Sequence, residues 1–455
     1  MPQPSLNVPQ PPAGSQAFAQ AVHAYQQGDF SAAQAHLQHF LLSQPDHPDA
    51  RHLLAVLQAR HHAFAAAEPN FLAAMQSAPS RHDYRCNYAL ALHEQGRHPE
   101  ALAHFHQVLA QQPDFPPALN GLGNTLCALG GAAQAVPVFQ AALQAQPNDC
   151  FAHNNLGVAF KACGQSAAAI ASFRQALALQ PAYPEASANL ALLLIDSSNA
   201  PDGSPAAREA SRQEARLLLQ TALQGQPNNR QAAEKLWQLA PFWHQPILGQ
   251  RLLLRPYAAS DAAFIGRCFN DATFMAGYHR YLSTEASPAQ LAARLRESEQ
   301  SLPGQSGSID WLICRQGRQG QADQAIGLAN LVDIASQHRR AEFLIGIPAA
   351  VRSPGLALEA GLLVLDFAFN RAGLNKLTSM VYQDNPYSQQ STLAAGFRQE
   401  GYRPEHLWDA ASQRFFGVYE NGQTATDFRV NPRLAKLSRR LLGRDVTAAP
   451  VEEGA

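Results

Sequence analysis

Ala341-Glu-Phe-Leu-Ile-Gly-Ile-Pro348 and, after three intervening residues, Arg352-Ser-Pro-Gly355-Leu-Ala357 form the stretch around which the second half of the chain is organised. The apolar run ending at a proline reads as a strand, the Gly-containing stretch as a loop, and helical periodicity then lasts to about Arg371. A loop that opens a helix aims unpaired backbone N–H groups and the positive end of the helix dipole at one point. Gly355 lets that backbone approach a ligand closely. The ligand that suits such a loop is a pyrophosphate.

A second strand, Lys376 to Tyr382, leads to Asn385-Pro-Tyr-Ser388, a short helix and the pair Gly396-Phe397. Arg352-x-x-Gly355-x-Ala357 resembles the coenzyme A loop of the GNAT acetyltransferases. The succession Glu359-Ala360, Phe367-Ala-Phe369, Asn385-x-x-Ser388 and Gly396-Phe397 resembles the branch of that superfamily that acetylates ribosomal-protein N-termini.

The resemblance implies acetyl-CoA as co-substrate, with no metal. Its loop contacts would come from Arg352, Ser353, Gly355, Leu356 and Ala357, mostly through main-chain N–H groups, with Asn385 and Ser388 further along. Acetyl transfer to an amine needs a proton acceptor, a donor for the developing oxyanion and a proton for the thiolate. By resemblance, Glu342 takes the proton and Ser388 protonates the thiolate or binds the pantetheine. Tyr382 and Tyr387 are second-choice acids. The strand at Phe343, Leu344 and Ile345 would bulge and free N–H groups for the thioester carbonyl. Each role has a plainer counterpart: Glu342 as a strand-edge carboxylate, and Asn385 to Ser388 as an Asn-Pro turn capping a helix. Two residues depart from the family pattern. Pro354 removes one possible phosphate donor, although Pro suits a first helical position, and Ile345 stands where many relatives carry Tyr.

Upstream, Pro241-Phe-Trp-His-Gln-Pro246 reads as a linker, and Arg251-Leu-Leu-Leu-Arg255 as the opening strand of the same domain. Ser260-Asp261 and Ser287-Pro288 are helix starts, Ile309 to Arg315 and Ala325 to Ile334 are strands, and Gln316 to Gln324 is the turn between them. Alternating strands and helices predict an α/β (α+β) domain with a mixed sheet over 247–428. Asn431 to Val446 reads as a basic amphipathic helix docked on its own protein, and the tail from Thr447 as disordered.

The first half is decided by a period. Pro45, Pro79, Pro113, Pro147 and Pro181 stand 34 residues apart, with Gly28, Gly96, Gly130 and Gly164 in the same frame and His62 filling the gap. This resembles the tetratricopeptide repeat. Leu156-Gly157, Ala169, Phe173 and Ala176 mark the best unit, and Leu122-Gly123, Ala135, Phe139 and Ala142 the one before it. A sixth unit keeps the frame through Ala215, Leu219, Ala222 and Pro227 only after a 12-residue insertion placed in 197–205. The expectation is an all-α solenoid over 15–240, with Asn229 to Leu239 as its cap, preceded by a disordered 1–14.

Asn87, Asn155 and Asn189 hold one place in their repeats, with Asn120 one residue earlier and Asn124 nearby. Amides at repeat spacing can pair with both groups of a peptide backbone. The row resembles the asparagine ladder in the repeat region of protein O-linked N-acetylglucosamine transferases, which implies a bound polypeptide. The plainer reading is that these amides satisfy neighbouring repeats. The histidines His61, His62, His93, His98, His104 and His106 lack metal-ligand spacing and read as surface or groove residues.

A chain of 455 residues has room for two or three domains. Its 34 basic and 35 acidic side chains give no field that favours nucleic acid or an anionic membrane. Six cysteines without paired spacing, no basic-then-apolar leader and no apolar run of spanning length predict a soluble cytoplasmic protein. Three functions fit: acetylation of a protein or peptide amine held by the repeats, acetylation of a small amine such as an amino sugar with the repeats used for assembly, or a scaffold whose acetyltransferase domain is degenerate.

Overall fold

Each turn of the 34-residue repeat needs a residue that reverses the chain between two helices, and the left-handed backbone region supplies it. In the computed structural model, which describes residues 16–198, 204–279, 287–298, 307–317, 322–353, 355–409 and 413–448, Gly28, Gly96, Gly130 and Gly164 take φ of 74° to 80° and His62 takes 58°. Around these turns run the pairs Gln16–Gln26 and Phe30–Ser43, Pro48–Arg60 and Phe64–Ser77, His82–Glu94 and His98–Gln111, Pro116–Ala128 and Ala132–Ala145, and Cys150–Ala162 and Ser166–Leu179. A sixth pair, Pro184–Ser198 and Pro205–Gly225, follows the insertion and buries Ala215, Leu219 and Ala222 as the frame requires. Residues 199–203 and 1–15, where a loop and a disordered start are expected, lie outside the described residues.

The repeat positions are steric. Phe105, Phe139 and Phe173 are wholly buried. A Cβ on Gly123 would lie 2.5 Å from Phe139, and one on Gly157 would lie 2.6 Å from Phe173. Only glycine lets the two helices of a unit close over the ring.

The second unit begins earlier than the linker suggests. The helix Arg230–Gln238, expected to cap the repeats, belongs with it. Trp237 donates its indole N–H to the Ala372 carbonyl at 2.7 Å and packs edge-on against Trp243, which in turn meets Phe367. The apolar face that suggested a cap is taken up by this core.

Among the described residues, the sheet of the second unit has eight strands: β1 (Ile247–Leu248), β2 (Leu252–Pro256), β3 (Ile309–Arg315), β4 (Gln324–Ala335), β5 (Arg340–Gly346), β6 (Lys376–Tyr382), β7 (Arg398–Asp409) and β8 (Arg414–Thr424). Their order is β1-β2-β3-β4-β5-β6-β8-β7, antiparallel except for β5 against β6. The mixed sheet expected from the sequence is therefore present. Side chains alternate between two layers. One layer packs Trp311, Phe343 and Ile345 with the helix Leu356–Asp366. The other packs Leu312, Leu328 and Leu344 under the helices Ala262–Asn270, Ala272–Tyr278 and Pro288–Ser298.

The basic C-terminal helix Pro432–Leu442 docks on this unit through Leu434 and Leu442 and ends at Gly443 with φ 74°. Val446 and Thr447 are buried beyond it, so the chain stays packed past the point where disorder is expected. Asp261, read as a helix cap, instead pairs both carboxylate oxygens with Arg255 and accepts the Ala258 N–H. Among the described residues, no helix is long and apolar enough to cross a membrane.

Candidate active site

The parallel pair β5/β6 is short. Arg340 pairs with Lys376, Ala341 with Leu377 and Glu342 with Thr378, and there the pairing stops. Beyond it β5 continues beside β4 as far as Gly346, while β6 continues beside β8 as far as Tyr382. The sheet splits in its middle. Alternate residues of a strand direct their backbone groups to opposite sides, so part of Phe343 to Gly346 faces the split. The bulge expected at Phe343, Leu344 and Ile345 is absent: their register with β4 is unbroken. The irregularity lies in β4 between Val332 and Ala335, where Asp333 has φ 49°. Departure of β6, not a bulge in β5, exposes the backbone.

Glu342 stands at the apex of the split. Burial, then the nearby Asp333 charge, raises its pKa above the usual range, and the neighbouring Met380 backbone N–H works against that shift. Beneath the split, Phe343 stacks on Phe397 with ring centroids 6.0 Å apart, which explains the Gly396-Phe397 landmark. Gly396 takes φ 94° to make that turn.

Past Gly346 the chain passes through Ile347, Pro348 and one short turn to Arg352, whose Nε donates to the Ile347 carbonyl at 2.8 Å. This side chain therefore braces the loop. Gly355 has φ 82°, starts the helix Leu356–Asp366 and accepts the Glu359 N–H. Pro354 lies outside the described residues.

Glu359 is fully buried one turn into this helix. It accepts the Arg251 N–H at 2.9 Å and the Leu252 N–H at 3.2 Å, and pairs with Arg251 Nε at 2.7 Å. A Cβ on Gly355 would come 3.4 Å from Arg251 Nη2. Arg251 thus stands beside the loop, a neighbour that sequence spacing does not reveal because 108 residues separate Arg251 from Glu359.

On the far side of the split, Asn385 caps the helix Pro386–Ala394 by accepting the Ser388 N–H at 3.1 Å. Its Nδ2 approaches Gly277, where a Cβ would be 3.2 Å away. Tyr278 and Phe274 stack and cover Gly346, where an added Cβ would meet each ring at 2.7 Å. Elements distant in sequence thus gather around β5: the helix Ala272–Tyr278 over Gly346, and the Asn385 cap beside that same helix. Tyr387 is exposed.

In the first unit Asn87, Asn120 and Asn189 pair with residues of neighbouring repeats. Asn87 Nδ2 meets His52 Nε2 at 3.0 Å, Asn189 donates to Asn154 at 3.0 Å, Asn154 donates to Asn155 at 3.3 Å, and Asn120 donates to Asp149 at 2.9 Å. Asn124 is half-buried on the helix that carries Asn120.

Residues 251–398 match the acetyltransferase (GNAT) domain family, within which the split, the loop and the cap all fall. This unit is a GNAT acetyltransferase domain. Tetratricopeptide-repeat families match residues 18–82, 55–116, 92–156 and 152–183, so the chain joins such repeats to an acyltransferase. The GNAT region is 27% identical over 176 residues to the uncharacterized N-acetyltransferase YoaA of Bacillus subtilis, covering 38% of this chain and 95% of that protein. A spermidine N(1)-acetyltransferase of Escherichia coli is 39% identical over 75 residues, 16% of this chain and 40% of that protein. The spermidine N-acetyltransferase of Vibrio cholerae, solved in complex with CoA and spermine, is 23% identical over 39% of this chain and 97% of that one, with a TM-score of 0.34.

Proposed function

We propose that the GNAT domain transfers an acetyl group from acetyl-CoA to the nitrogen of a small aliphatic amine. The observation that carries this reading is the split at Glu342–Thr378, which leads within one turn into the Gly355 loop. The split offers backbone groups to an extended chain carrying amides, such as pantetheine, and the loop offers N–H groups to its pyrophosphate. Glu342, whose pKa is raised by burial, accepts the proton of the amine. Backbone N–H groups of Phe343 to Ile345 receive the thioester oxygen. Ser388, half-buried behind the Asn385 cap, supplies a proton to the leaving thiolate. Arg352, Ser353, Gly355, Leu356 and Ala357 form the phosphate loop.

A small acceptor is supported by the pairing of Asn87, Asn120 and Asn189 with residues of neighbouring repeats, which draws those amides away from a peptide. The 75-residue similarity to a spermidine acetyltransferase points the same way. The repeats would then serve assembly. The second reading, a protein or peptide acceptor lying in the repeat groove, is favoured by the repeats themselves, since such surfaces commonly hold polypeptide.

Labelled acetyl-CoA offered with a panel of aliphatic amines and amine-bearing peptides tests both readings. The expected result is acetylated small amine, lost by at least tenfold in Gly355→Glu together with calorimetric acetyl-CoA affinity. Gly355→Glu binding acetyl-CoA as tightly as the parent overturns the loop assignment. Peptide acetylation alone, impaired by joint replacement of Asn87, Asn155 and Asn189 by Ala, favours the second reading.

A further inference from the structure

The basic C-terminal helix Pro432–Leu442 has no part in the chemistry proposed above, and it lies beyond the residues 251–398 that match the family. It reaches from one landmark glycine to the other. Near its start, Leu434 Cδ1 stands 2.8 Å from where a Cβ on Gly396 would lie, and near its end Leu441 Cδ2 stands 3.9 Å from where a Cβ on Gly355 would lie. Its closing residue Gly443 sits against Gln250, whose Nε2 would be 2.7 Å from an added Cβ. The last turn is therefore held beside the loop that opens the helix Leu356–Asp366.

Arg251 meets the same point from the sheet. Its Nε is fixed on Glu359 at 2.7 Å, and its Nη2 stands 3.4 Å from the Cβ position of Gly355. Among the described residues, neither Nη1 nor Nη2 has an acceptor. A guanidinium anchored through Nε presents its two terminal nitrogens as a planar fork of donors, the geometry that fits phosphate oxygens. Glu359 offsets the charge of Arg251, so the excess of positive charge comes from the helix. Arg433, Lys436 and Arg440 are exposed and have no ion pair among the described residues, whereas Arg439 and Arg444 are taken up by Asp445 and Asp366. Arg440 adjoins Leu441 in the turn that reaches the loop.

We infer that Arg251 and Arg440 bind the 3′-phosphate of the acetyl-CoA ribose, so that a C-terminal helix outside the matched region completes the co-substrate site. The inference rests on the acetyl-CoA reading above. Main-chain N–H groups of the loop suit the pyrophosphate. They leave the third phosphate, a monoester carrying about −1.5 to −2 charge at neutral pH, to side chains at the rim of the loop. Two guanidinium groups brought there from opposite ends of the domain's sequence match that charge. Both arginines select the co-substrate and take no part in bond making.

Calorimetry on the full chain compares acetyl-CoA with acetyl-dephospho-CoA, which lacks only that phosphate. The parent should bind acetyl-CoA about 10- to 100-fold more tightly, the range of one charge-assisted contact. Arg251→Gln should erase most of this ratio by weakening acetyl-CoA binding alone, with acetyl-dephospho-CoA bound as by the parent. Glu359 keeps the backbone N–H groups of Arg251 and Leu252 in this variant, and tryptophan fluorescence in urea checks that it folds. Should it not, Arg440→Gln, at an exposed position, should reduce the ratio severalfold. Equal binding of the two ligands by the parent overturns the inference, as does an unchanged ratio in either folded variant. A folded Arg251→Gln that loses both affinities alike assigns the side chain to the loop or the pyrophosphate and overturns it too. Failure of the parent to bind either ligand removes the acetyl-CoA reading and the inference together.

Discussion

The Glu359 carboxylate lies 2.7 Å from Arg251 Nε while also accepting the backbone N–H groups of Arg251 and Leu252. Arg251 is 47% exposed and Glu359 0%, so water screens the ion pair from one side and the buried backbone donors matter more. Glu359→Ala should cost about 2–4 kcal/mol, and Glu359→Gln less because its amide oxygen still accepts. All four tryptophans, Trp237, Trp243, Trp311 and Trp408, lie in the second unit, so tryptophan fluorescence in urea reads this loss without interference from the repeats.

Glu342→Gln should separate activity from stability. The raised pKa means that the folded state holds its proton above the ordinary carboxylate value, so ionising the group costs stability as pH rises through that interval. Gln keeps the shape and an acceptor oxygen without the charge. The expected outcome is a lower kcat by about 10²–10⁴ with a higher Tm at neutral pH. In the parent, the acid limb of kcat/KM should lie above the normal glutamate range of about 4.3, and it should be absent from the residual activity of the variant.

His52 makes the repeats acid-sensitive. It is 2% exposed, stacks on Tyr84 at 4.2 Å, and has its pKa lowered from 6.5 to about 4 by burial. A depressed histidine favours its neutral form in the fold. Its stabilising contribution is complete above about pH 6.5 and lost as pH falls towards 4. The loss is on the order of 3 kcal/mol. Helical circular dichroism across this window should show a steeper decline for the parent than for His52→Phe.

The turns offer two substitutions of opposite sign. His62→Gly should stabilise the repeats by about 0.5–1 kcal/mol, because the left-handed conformation costs a side chain more than glycine loses in entropy. Gly157→Ala should destabilise them by about 1–3 kcal/mol through overlap with Phe173. Thermal melts followed at helical wavelengths check both.

The repeat frame was legible because it is steric: Gly157 against Phe173, and His62 in a glycine's place, are local facts that sequence spacing reports. The Gly355 loop was legible for the same reason, since a positive φ leaves a residue-type signature. The split in the sheet left none. It arises because β6 follows β8 after Thr378, a choice made by pairing partners far away in sequence. The largely polar β7, Arg398–Asp409, carried no strong alternation and was not placed in advance. The partner of the helix Arg230–Gln238 is not legible because an apolar stripe shows that a helix packs, not against what; Trp237 meets the Ala372 carbonyl and Trp243 only in the fold.

The parallel contact between β5 and β6 amounts to three residue pairs, and among the described residues those pairs are the only sheet bonding between five strands on one side and three on the other. The domain therefore has a seam. Heat or force should open it before either half-sheet frays, pivoting on the Phe343–Phe397 stack. A chain lodged between the halves would act as mortar, so hydrogen exchange at Phe343 to Gly346 and at Ser379 to Tyr382 should slow together when the seam is filled.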